Sequence, residues 1–258
     1  MKDFTLKKYK QFLKNIVNSY DNVLRFDDFF IRQNALNEFV IIRHDVDRKP
    51  LNALKTAKIE NELGIQTTYY FRSKNNKFST EVIKEISSLG HEIGYHYENL
   101  SDENGDMESA LLSFEENLNK LRGIVPVKTI AMHGKPFSKY DNRDLWKNKE
   151  NHDLLLNKFE ILGEVYLDID YTNIAYINDT GRNWSSGRSN LRDKVNSQIN
   201  TDFKNNKQVL AYLQNKVSPK VIFQMHPERW SDNLPEWTSQ LVKDKAINSV
   251  KLITSIIR

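Results

Sequence analysis

Apolar residues recur along the chain in two spacings, one typical of helices and one typical of buried strands. Residues 4–20 place apolar side chains at intervals of three and four, opposite a lysine-rich face, which predicts an amphipathic helix. From residue 39 onward, short β-rich runs alternate with longer helical stretches. The predicted strands cover 39–42, 65–71, 91–97, 127–132, 164–169, 173–177 and 221–225. The predicted helices cover 50–63, 80–89, 106–122, 151–162, 202–215 and 234–257.

Strand followed by helix, repeated six or seven times, predicts a parallel sheet with right-handed crossovers. The 258 residues match the length of a single β/α barrel, and no linker divides the chain into halves. We therefore expect an α/β fold built as a closed or partly closed barrel over residues 37–258, with a doubly wound open sheet as the alternative. Residues 1–36 are expected to form an N-terminal helical extension.

Composition narrows the function classes without selecting one. The 38 Lys and Arg residues exceed the 34 Asp and Glu residues by four, a surplus too weak to indicate a nucleic-acid partner, and no basic aromatic module is present. The chain has no cysteine, which excludes disulfides, cysteine metal sites and thiol nucleophiles. Neither a leader-like segment nor an apolar run of membrane-spanning length is found, so we expect a cytoplasmic protein without a membrane span.

The histidines give the first indication of chemistry. Five of the six lie at the end of a predicted strand or just after one: His44, His91, His96, His133 and His226. The carboxyl ends of the strands in a β/α barrel converge on one face, where active sites are built. Residues far apart in sequence are therefore predicted to share one pocket.

Two carboxylates follow the first long strand, in the segment Arg43-His-Asp-Val-Asp47. If the chain is extended there, Asp45 and Asp47 share a face, and burying both requires a metal ion, an arginine or backbone N–H groups. One interpretation makes them site acids. The alternative is structural: Asp47 caps the helix that starts near Pro50, and Asp45 pairs with Arg43 or Arg48.

The segment Gly90-His-Glu-Ile-Gly-Tyr-His-Tyr-Glu98 places two histidines on one predicted strand. His91 lies next to the preceding helix and is predicted to be structural, whereas His96 lies at the far end of the strand and is the better ligand candidate. Glu98 is either an acceptor behind a ligand or a surface charge. His133 closes the next strand, where ligand contact and simple loop packing are both open interpretations.

Two segments between residues 164 and 184 offer further candidates. Asp168 and Asp170 follow one predicted strand, and either is a candidate site acid. The segment Asp179-Thr-Gly-Arg-Asn-Trp184 ends the next strand. Its arginine and tryptophan suit a carboxylate, a phosphate or the face of a sugar, and its aspartate is placed to position the arginine. The alternative for this segment is a surface turn.

His226 follows the last predicted strand and would face Asp45 across a barrel mouth, which is the placement of a general acid or base. Aspartates and histidines at different strand ends form a donor set that Zn²⁺, Mn²⁺ and similar ions accept, with water at an open position. Motifs for serine hydrolases, phosphate-binding loops, dinucleotide binding and the H-E-x-x-H metal site are absent from the sequence. The residues therefore predict a metal-dependent hydrolytic cavity.

In this order, R-H-D-V-D, G-H-E-I-G-Y-H and the late strand histidine resemble the polysaccharide deacetylase superfamily, the NodB-homology group with carbohydrate esterase family 4. The likeness spans about residues 39–250, and the segments HDVD and HPERW resemble a divergent branch found among surface-polysaccharide biosynthesis proteins. The resemblance implies a distorted (β/α)7 TIM-like barrel. It also implies the metal-dependent removal of an acetyl group from a carbohydrate.

Roles for individual residues follow from the same resemblance. Asp45 matches the family's catalytic base and His226 its general acid. Asp47 approximates the metal-binding aspartate, and His96 matches the first metal histidine, with zinc as the expected divalent ion. We expect the sugar or its phosphate to be gripped by arginines and tryptophans late in the chain: Arg182, Trp184, Arg229 and Trp230.

The chain departs from the family pattern at three places. Val46 separates two aspartates that are adjacent in the family, Leu100 occupies the usual position of the second metal histidine, and His133-Gly-Lys-Pro replaces an Arg-Pro-Pro segment. We expect His133 to supply the missing ligand from the next strand; the alternative is that the metal, or activity with it, is lost. Two other functions stay open, hydrolysis of another C–N bond by the same fold and glycan binding without catalysis.

Overall fold

A computed structural model of the protein describes residues 2–74, 77–135, 138–184 and 192–257. Eight strands lie in these ranges: β1 (Val23–Leu24), β2 (Phe39–Val46), β3 (Thr68–Phe71), β4 (Glu92–Tyr97), β5 (Thr129–Met132), β6 (Gly163–Glu164), β7 (Ala175–Asn178) and β8 (Lys220–Met225). The α-helices in the same ranges are α1 (Leu6–Ser19), α2 (Phe26–Arg32), α3 (Pro50–Glu62), α4 (Thr80–Ser88), α5 (Asn99–Asp102), α6 (Met107–Arg122), α7 (Lys149–Asp153), α8 (Asn206–Gln214) and α9 (Leu234–Ile257). Short 3₁₀ or π-helical turns occupy Gln33–Ala35, Asn142–Trp146, Leu154–Lys158, Thr180–Arg182 and Pro227–Arg229.

The strands form one parallel sheet in the order β6-β5-β4-β3-β2-β8-β7, and β1 pairs with the start of β2. From β2 to β6 each strand lies beside its predecessor, and β7 and β8 continue round to the other side of β2. The winding direction never reverses, as it would in a doubly wound sheet. The predicted distorted (β/α)7 barrel is therefore confirmed, and the open-sheet alternative is wrong.

The sheet curls until side chains from distant strands meet inside it. Three strands separate β2 from β6, so in a flat sheet the two would lie about 19 Å apart, at about 4.8 Å per strand. Yet the guanidinium of Arg43 on β2 donates to the hydroxyl of Tyr166, just after β6, at 2.6 Å. The hydroxyl of Tyr176 on β7 lies 3.5 Å from that of Tyr166, although no backbone pairing joins β6 to β7 in the described ranges. Side chains therefore close the barrel at this opening.

Strand β2 runs through the middle of the sheet and sorts its side chains by alternation. Arg43 and Asp45 point into the barrel, where Asp45 meets a side chain of β8. Val40 and Ile42 point outward into an apolar cluster with α1, and His44 points outward to a buried carboxylate on α3. One face of β2 therefore points into the barrel, and the other face packs against the helices.

Residues 2–36 share a core with the barrel. Helix α1 packs against α3 and α8, and its apolar side chains enter the same cluster as those of β2 and β8. The Tyr9 hydroxyl donates to the carboxylate of Glu60 on α3, and both side chains are fully buried. The N-terminal residues therefore cover apolar surface that would otherwise face water.

Several predicted strands are shorter in the structure, and in two of them side chains replace strand hydrogen bonds. β3 begins at Thr68 rather than at residue 65, since the N–H of Thr67 donates to the imidazole of His91. The predicted strand 164–169 is reduced to β6, because the Glu164 carboxylate accepts two following backbone N–H groups and turns the chain. The predicted helix over 151–162 likewise divides into α7 and a π-helical turn.

Helix α9 packs against the 3₁₀ turns that follow β7 and β8. None of the helices in the described ranges, the 24-residue α9 included, is both long enough and apolar enough to cross a lipid bilayer.

Candidate active site

The carboxyl ends of the strands form the walls of a polar cleft of about 220 Å³. Asp45 lies at the end of β2 and Asp47 follows that strand, His96 lies at the end of β4, and the remaining two histidines directly follow β5 and β8. The side chains that line the cleft include Asp45, Asp47, His96, His133 and His226. The structure thus brings together, from four strands, every residue that the sequence predicted as catalytic or metal-binding.

Two of the imidazoles in the cleft face the same carboxylate oxygen. Oδ1 of Asp47 lies 3.6 Å from Nε2 of His96 and 3.7 Å from Nε2 of His133, and it is buried without a hydrogen-bond partner. Burial raises the pKa of Asp47, but His133 and His96 outweigh burial and bring the pKa well below its ordinary value. A buried, ionised oxygen in this position needs a cation or a shared proton.

The opposite nitrogens of the two imidazoles are already engaged. Nδ1 of His96 donates to the carbonyl of Ala131 at 2.9 Å, and Nδ1 of His133 donates to the Glu98 carboxylate at 2.9 Å. Because those acceptors can only accept, each ring carries a proton on Nδ1, and Nε2 is the ring nitrogen that faces Asp47. Glu98 is in turn held by Arg72 and is 7% exposed, so it is a buried acceptor for His133 rather than a surface charge.

The spacing of these atoms is close to that of a metal site. In the part of the chain that the structure describes, no group of three or more His, Asp or Glu side chains is arranged so that it could hold a metal ion as it stands. Ligand distances of about 2.0–2.1 Å at tetrahedral angles place ligand atoms about 3.4 Å apart, so Asp47 Oδ1 needs to approach each imidazole nitrogen by only about 0.3 Å. One carboxylate and two imidazoles, open to a cleft, are a donor set that fits a divalent ion such as Zn²⁺.

The position of Leu100 explains why His133 stands next to His96. Leu100 lies in α5 and is buried in the apolar core, so no imidazole reaches the cleft from there. Strands β4 and β5 pair with His96 opposite Ala131, and His133, two residues on, lies on the same face. The two rings are 5.3 Å apart between centroids. The neighbouring strand therefore places a second imidazole where the helical position offers none.

The carboxylate of Asp45 is fixed through one oxygen and free at the other. Oδ2 accepts from Arg43 at 2.8 Å and from the amide of Gln224 at 2.6 Å. Oδ1 is buried without a hydrogen-bond partner in a side chain that lines the cleft. Burial raises the pKa of Asp45, but Arg43, His96 and His226 outweigh burial and bring it to about 2. The carboxylate is therefore ionised at neutral pH.

The structural alternative for the two aspartates is half correct. Asp45 does pair with Arg43, and it lines the cleft as well. Asp47 does not cap α3, because the N-cap of that helix is Lys49 and no side chain caps it. The extended backbone through Val46 instead delivers both carboxylates to the cleft.

His226 is oriented by a carboxylate from the neighbouring strand end. Its Nδ1 donates to Asp179 at 2.7 Å, which leaves Nε2 as the ring nitrogen available to the cleft. Asp179 also accepts from the indole of Trp230 at 2.9 Å, so the carboxylate itself is fixed. Burial and Arg229 lower the pKa of His226, but Asp179 outweighs them and raises it above its ordinary value. The imidazole is thus suited to hold a proton for donation.

Of the four residues predicted to bind the sugar or its phosphate, one lines the cleft and three do not. Arg229 lines the cleft. Trp184 and Trp230 do not line it, because Phe4 packs against both rings and leaves them 3% and 0% exposed. Arg182 lies over the ring of Phe4 and pairs with an acid of α9. The N-terminal segment therefore packs against three of the four residues predicted to bind substrate, and these three residues stabilise the fold instead.

The cleft also contains charged residues that the sequence analysis did not select. They are Arg48, Arg72, Lys135, Arg192 and Asp193. Arg72 directly follows β3, so the strand-end rule that selected the histidines would have found it. Arg192 comes from a long connection after β7 and carries no local signal.

Four other polar candidates lie away from the cleft. Asp168 pairs with a histidine of α7, and Asp170 accepts within an exposed turn. His44 bonds outward to α3, and His91 lies at the amino end of β4, where its structural role was predicted. Their positions reflect strand direction and alternation, since only one end and one face of each strand open to the cleft.

Similarity to known proteins is found among solved structures. No family model matches the sequence, and no curated protein matches it. A CE4 (carbohydrate esterase family 4) esterase from Streptococcus mutans is 16% identical, with 87% of this chain and 86% of that chain covered at a TM-score of 0.47. A family 4 carbohydrate esterase from Streptomyces lividans, in complex with acetate, is 10% identical, with coverages of 82% and 90% and a TM-score of 0.44.

A CE4 family pseudoenzyme from Bacillus anthracis is 15% identical, with 81% of this chain covered at a TM-score of 0.45. The chain spans 61–63% of the length of the pseudoenzyme structures that it matches. At these identities the similarities concern the fold alone.

Proposed function

We propose that the protein is a metal-dependent hydrolase that removes an acetyl group from a carbohydrate. The observation that carries the proposal is the position of Asp47 Oδ1, which is buried without a hydrogen-bond partner and lies 3.6 Å from Nε2 of His96 and 3.7 Å from Nε2 of His133. Glu98 and the Ala131 carbonyl hold both imidazoles in the tautomer that a metal ligand needs. Binding a sugar without chemistry requires neither a partnerless buried carboxylate oxygen nor two oriented imidazoles.

Asp47, His96 and His133 would hold a divalent ion, and their oxygen–nitrogen donor set favours Zn²⁺. Such an ion, when bound, supplies Lewis-acid polarisation of the acyl oxygen. The three side chains leave one side open toward the cleft, where Asp45 and His226 also lie. Substrate would enter from that side.

Asp45 and His226 divide the proton transfers between them. Asp45 is ionised, and its free Oδ1 takes a proton from the attacking water while Arg43 holds Oδ2 in place. His226, kept protonated by Asp179, gives a proton to the leaving amine or alkoxide. Each carboxylate or imidazole thus carries one role, set by its hydrogen-bond partners.

Two alternatives are separated by the same experiment. The acid and base groups would also hydrolyse another C–N bond, such as a formamide or a cyclic amide. Glycan binding without catalysis is the second alternative, because no group of three His, Asp or Glu side chains among the described residues is arranged so that it could hold a metal ion as it stands.

The test measures bound zinc and the release of acetate or formate on a panel of N-acetylated, O-acetylated and N-formylated sugars. His96→Ala and His133→Ala should each lose stoichiometric zinc and lower acetate release on the order of 100-fold, because both remove a ligand. His152→Ala is the matched control, since His152 lies outside the cleft, and it should leave zinc content and rate unchanged. Full activity in His96→Ala would refute the ligand assignment. Release of formate but not acetate would favour the first alternative, and no turnover with zinc bound would favour the second.

A further inference from the structure

A second cavity, which we call the side cavity, opens directly beside the cleft. It encloses about 310 Å³ and shares Asp47, Arg48 and Arg72 with the cleft, so the two spaces adjoin at the candidate metal ligands. Its remaining walls include Lys74 and Lys77, which follow β3. A substrate whose acyl group lies at Asp47 would therefore extend naturally into the side cavity.

The charges that line the side cavity are unbalanced. Four cations face one carboxylate: Arg48, Arg72, Lys74 and Lys77 against Asp47. Arg48 and Arg72 are partly neutralised by acids behind them, Glu228 at 3.2 Å and Glu98. Lys74 and Lys77 have no acidic partner within the described part of the chain. Because Asp47 is turned toward the two imidazoles, the side cavity itself carries a positive potential.

Two helices also begin at the side cavity. Pro50, the first residue of α3, and Ser79, the N-cap of α4, both line it. Neither helix is capped by a side chain, and the one acid in either first turn, Glu81 of α4, does not line the cavity. Helix N-termini carry a partial positive charge and unpaired N–H groups, so these two ends add to the potential of the cations.

We propose that the side cavity binds a phosphate group of the substrate, so that the enzyme acts on acylated sugar phosphates rather than on neutral glycans. This inference rests on the proposed function, because it names the substrate class of the same site. Arginine and lysine side chains together with helix N–H groups are the donors that phosphate prefers. Since Arg48 and Arg72 are paired with acids behind them, Lys74 and Lys77 supply the two positive charges that match the double negative charge of a phosphate monoester.

The kinetic test compares an acetylated sugar phosphate with the same acetylated sugar lacking the phosphate. The variant Lys74→Gln/Lys77→Gln should lower kcat/KM for the phosphorylated substrate about tenfold, since charge-assisted bonds to phosphate are lost. It should leave kcat/KM for the neutral substrate unchanged. The matched control is Lys55→Gln/Lys84→Gln, which removes the same charge from exposed lysines of α3 and α4 and should alter neither value.

A binding measurement makes failure of this inference distinguishable from failure of the proposed function. Inorganic phosphate is titrated calorimetrically into the metal-free protein, where no turnover is needed. We expect binding that weakens about tenfold in the Lys74→Gln/Lys77→Gln variant and persists in the control. Acetate release with equal kcat/KM on both substrates would overturn the side-cavity inference and leave the deacetylase proposal intact. Phosphate binding through Lys74 and Lys77 without acetate release would overturn the deacetylase proposal and support the anion site.

Discussion

The side-chain amide of Gln224 donates to Oδ2 of Asp45 at 2.6 Å and so holds the carboxylate of β2 from the neighbouring strand β8. Gln224 is itself oriented, because the hydroxyl of Tyr176 donates to its carbonyl oxygen at 2.7 Å and leaves its NH₂ group facing Asp45. Arg43 donates to the same carboxylate oxygen. The two donors on Oδ2 keep Oδ1 free, which makes Gln224 a positioning residue for the proposed base.

Replacing Gln224 by leucine should therefore lower kcat without removing the metal. A hydrogen bond to a charged group contributes about 1.5–3 kcal/mol, which corresponds to roughly a ten- to hundredfold loss in kcat. Steady-state kinetics and zinc content measure the two effects, with Gln214→Leu on the exposed end of α8 as the control. A wild-type kcat in Gln224→Leu would mean that Arg43 alone fixes Asp45.

The pair of Asp179 and His226 predicts a shift in the pH profile. A proton donor must be protonated, so the rate should fall as pH rises through the pKa of His226. Burial and Arg229 lower that pKa and Asp179 raises it, with a net upward shift. In Asp179→Asn the alkaline limb of kcat/KM should therefore move to lower pH. An unmoved limb, in a variant that keeps the wild-type melting temperature, would remove His226 from the donor role.

Glu60 predicts acid sensitivity of the fold. The carboxylate is fully buried on α3 and accepts from His44 at 2.7 Å and from the hydroxyls of Tyr69 at 2.6 Å and Tyr9. Burial raises its pKa, but His44 and the other donors outweigh burial and lower it from 4.5 to about 2. A lowered folded-state pKa stabilises the protein above pH 4.5, and that stabilisation is lost as pH falls through about 2.

The expected size of this effect is about 3 kcal/mol, since each pKa unit corresponds to about 1.4 kcal/mol. Glu60→Gln should lose that stability at neutral pH and show a weaker acid dependence in urea unfolding. Glu62→Gln, an exposed neighbour on the same helix, should behave like the wild type. Equal acid dependence in the two variants would show that other carboxylates control acid unfolding.

Trp184 is expected to stabilise the fold rather than bind substrate. Its ring stacks on Phe4 at 5.5 Å between centroids and is buried. Trp184→Ala should cost about 3–5 kcal/mol of unfolding free energy by opening a cavity, while Trp184→Phe should cost less. KM should stay unchanged in both variants. A raised KM at wild-type stability would return Trp184 to the substrate site.

The cleft residues were predictable from two features, their position at the ends of predicted strands and the parallel direction of those strands. Asp45, Asp47, His96, His133 and His226 lie at the end of predicted strands or just after them, and parallel strands bring their carboxyl ends to one face. The strand order follows from the same rule, because successive β/α units wind in one direction. The sequence therefore predicted which strand ends form the cleft and which acids and histidines line it.

The remaining positions, inside or outside the cleft, depend on contacts that no local sequence pattern shows. Trp184 and Trp230 follow strands just as the site residues do, but Phe4, far away at the N-terminus, covers them. Gln224 lies inside an apolar strand, where its inward direction depends on a register with β2. Arg192 reaches the cleft from a long connection without periodicity. Each case turns on packing between segments distant in sequence.

The most direct test of the proposed centre is an anomalous-difference map at the zinc edge from crystals of the zinc-loaded protein. The account predicts one strong peak in the cleft within about 2.0–2.2 Å of Asp47 Oδ1, His96 Nε2 and His133 Nε2. It predicts no such peak in Asp47→Asn crystals treated in the same way. A zinc-saturated crystal without a peak at these three atoms, or with zinc bound only elsewhere, would contradict the account.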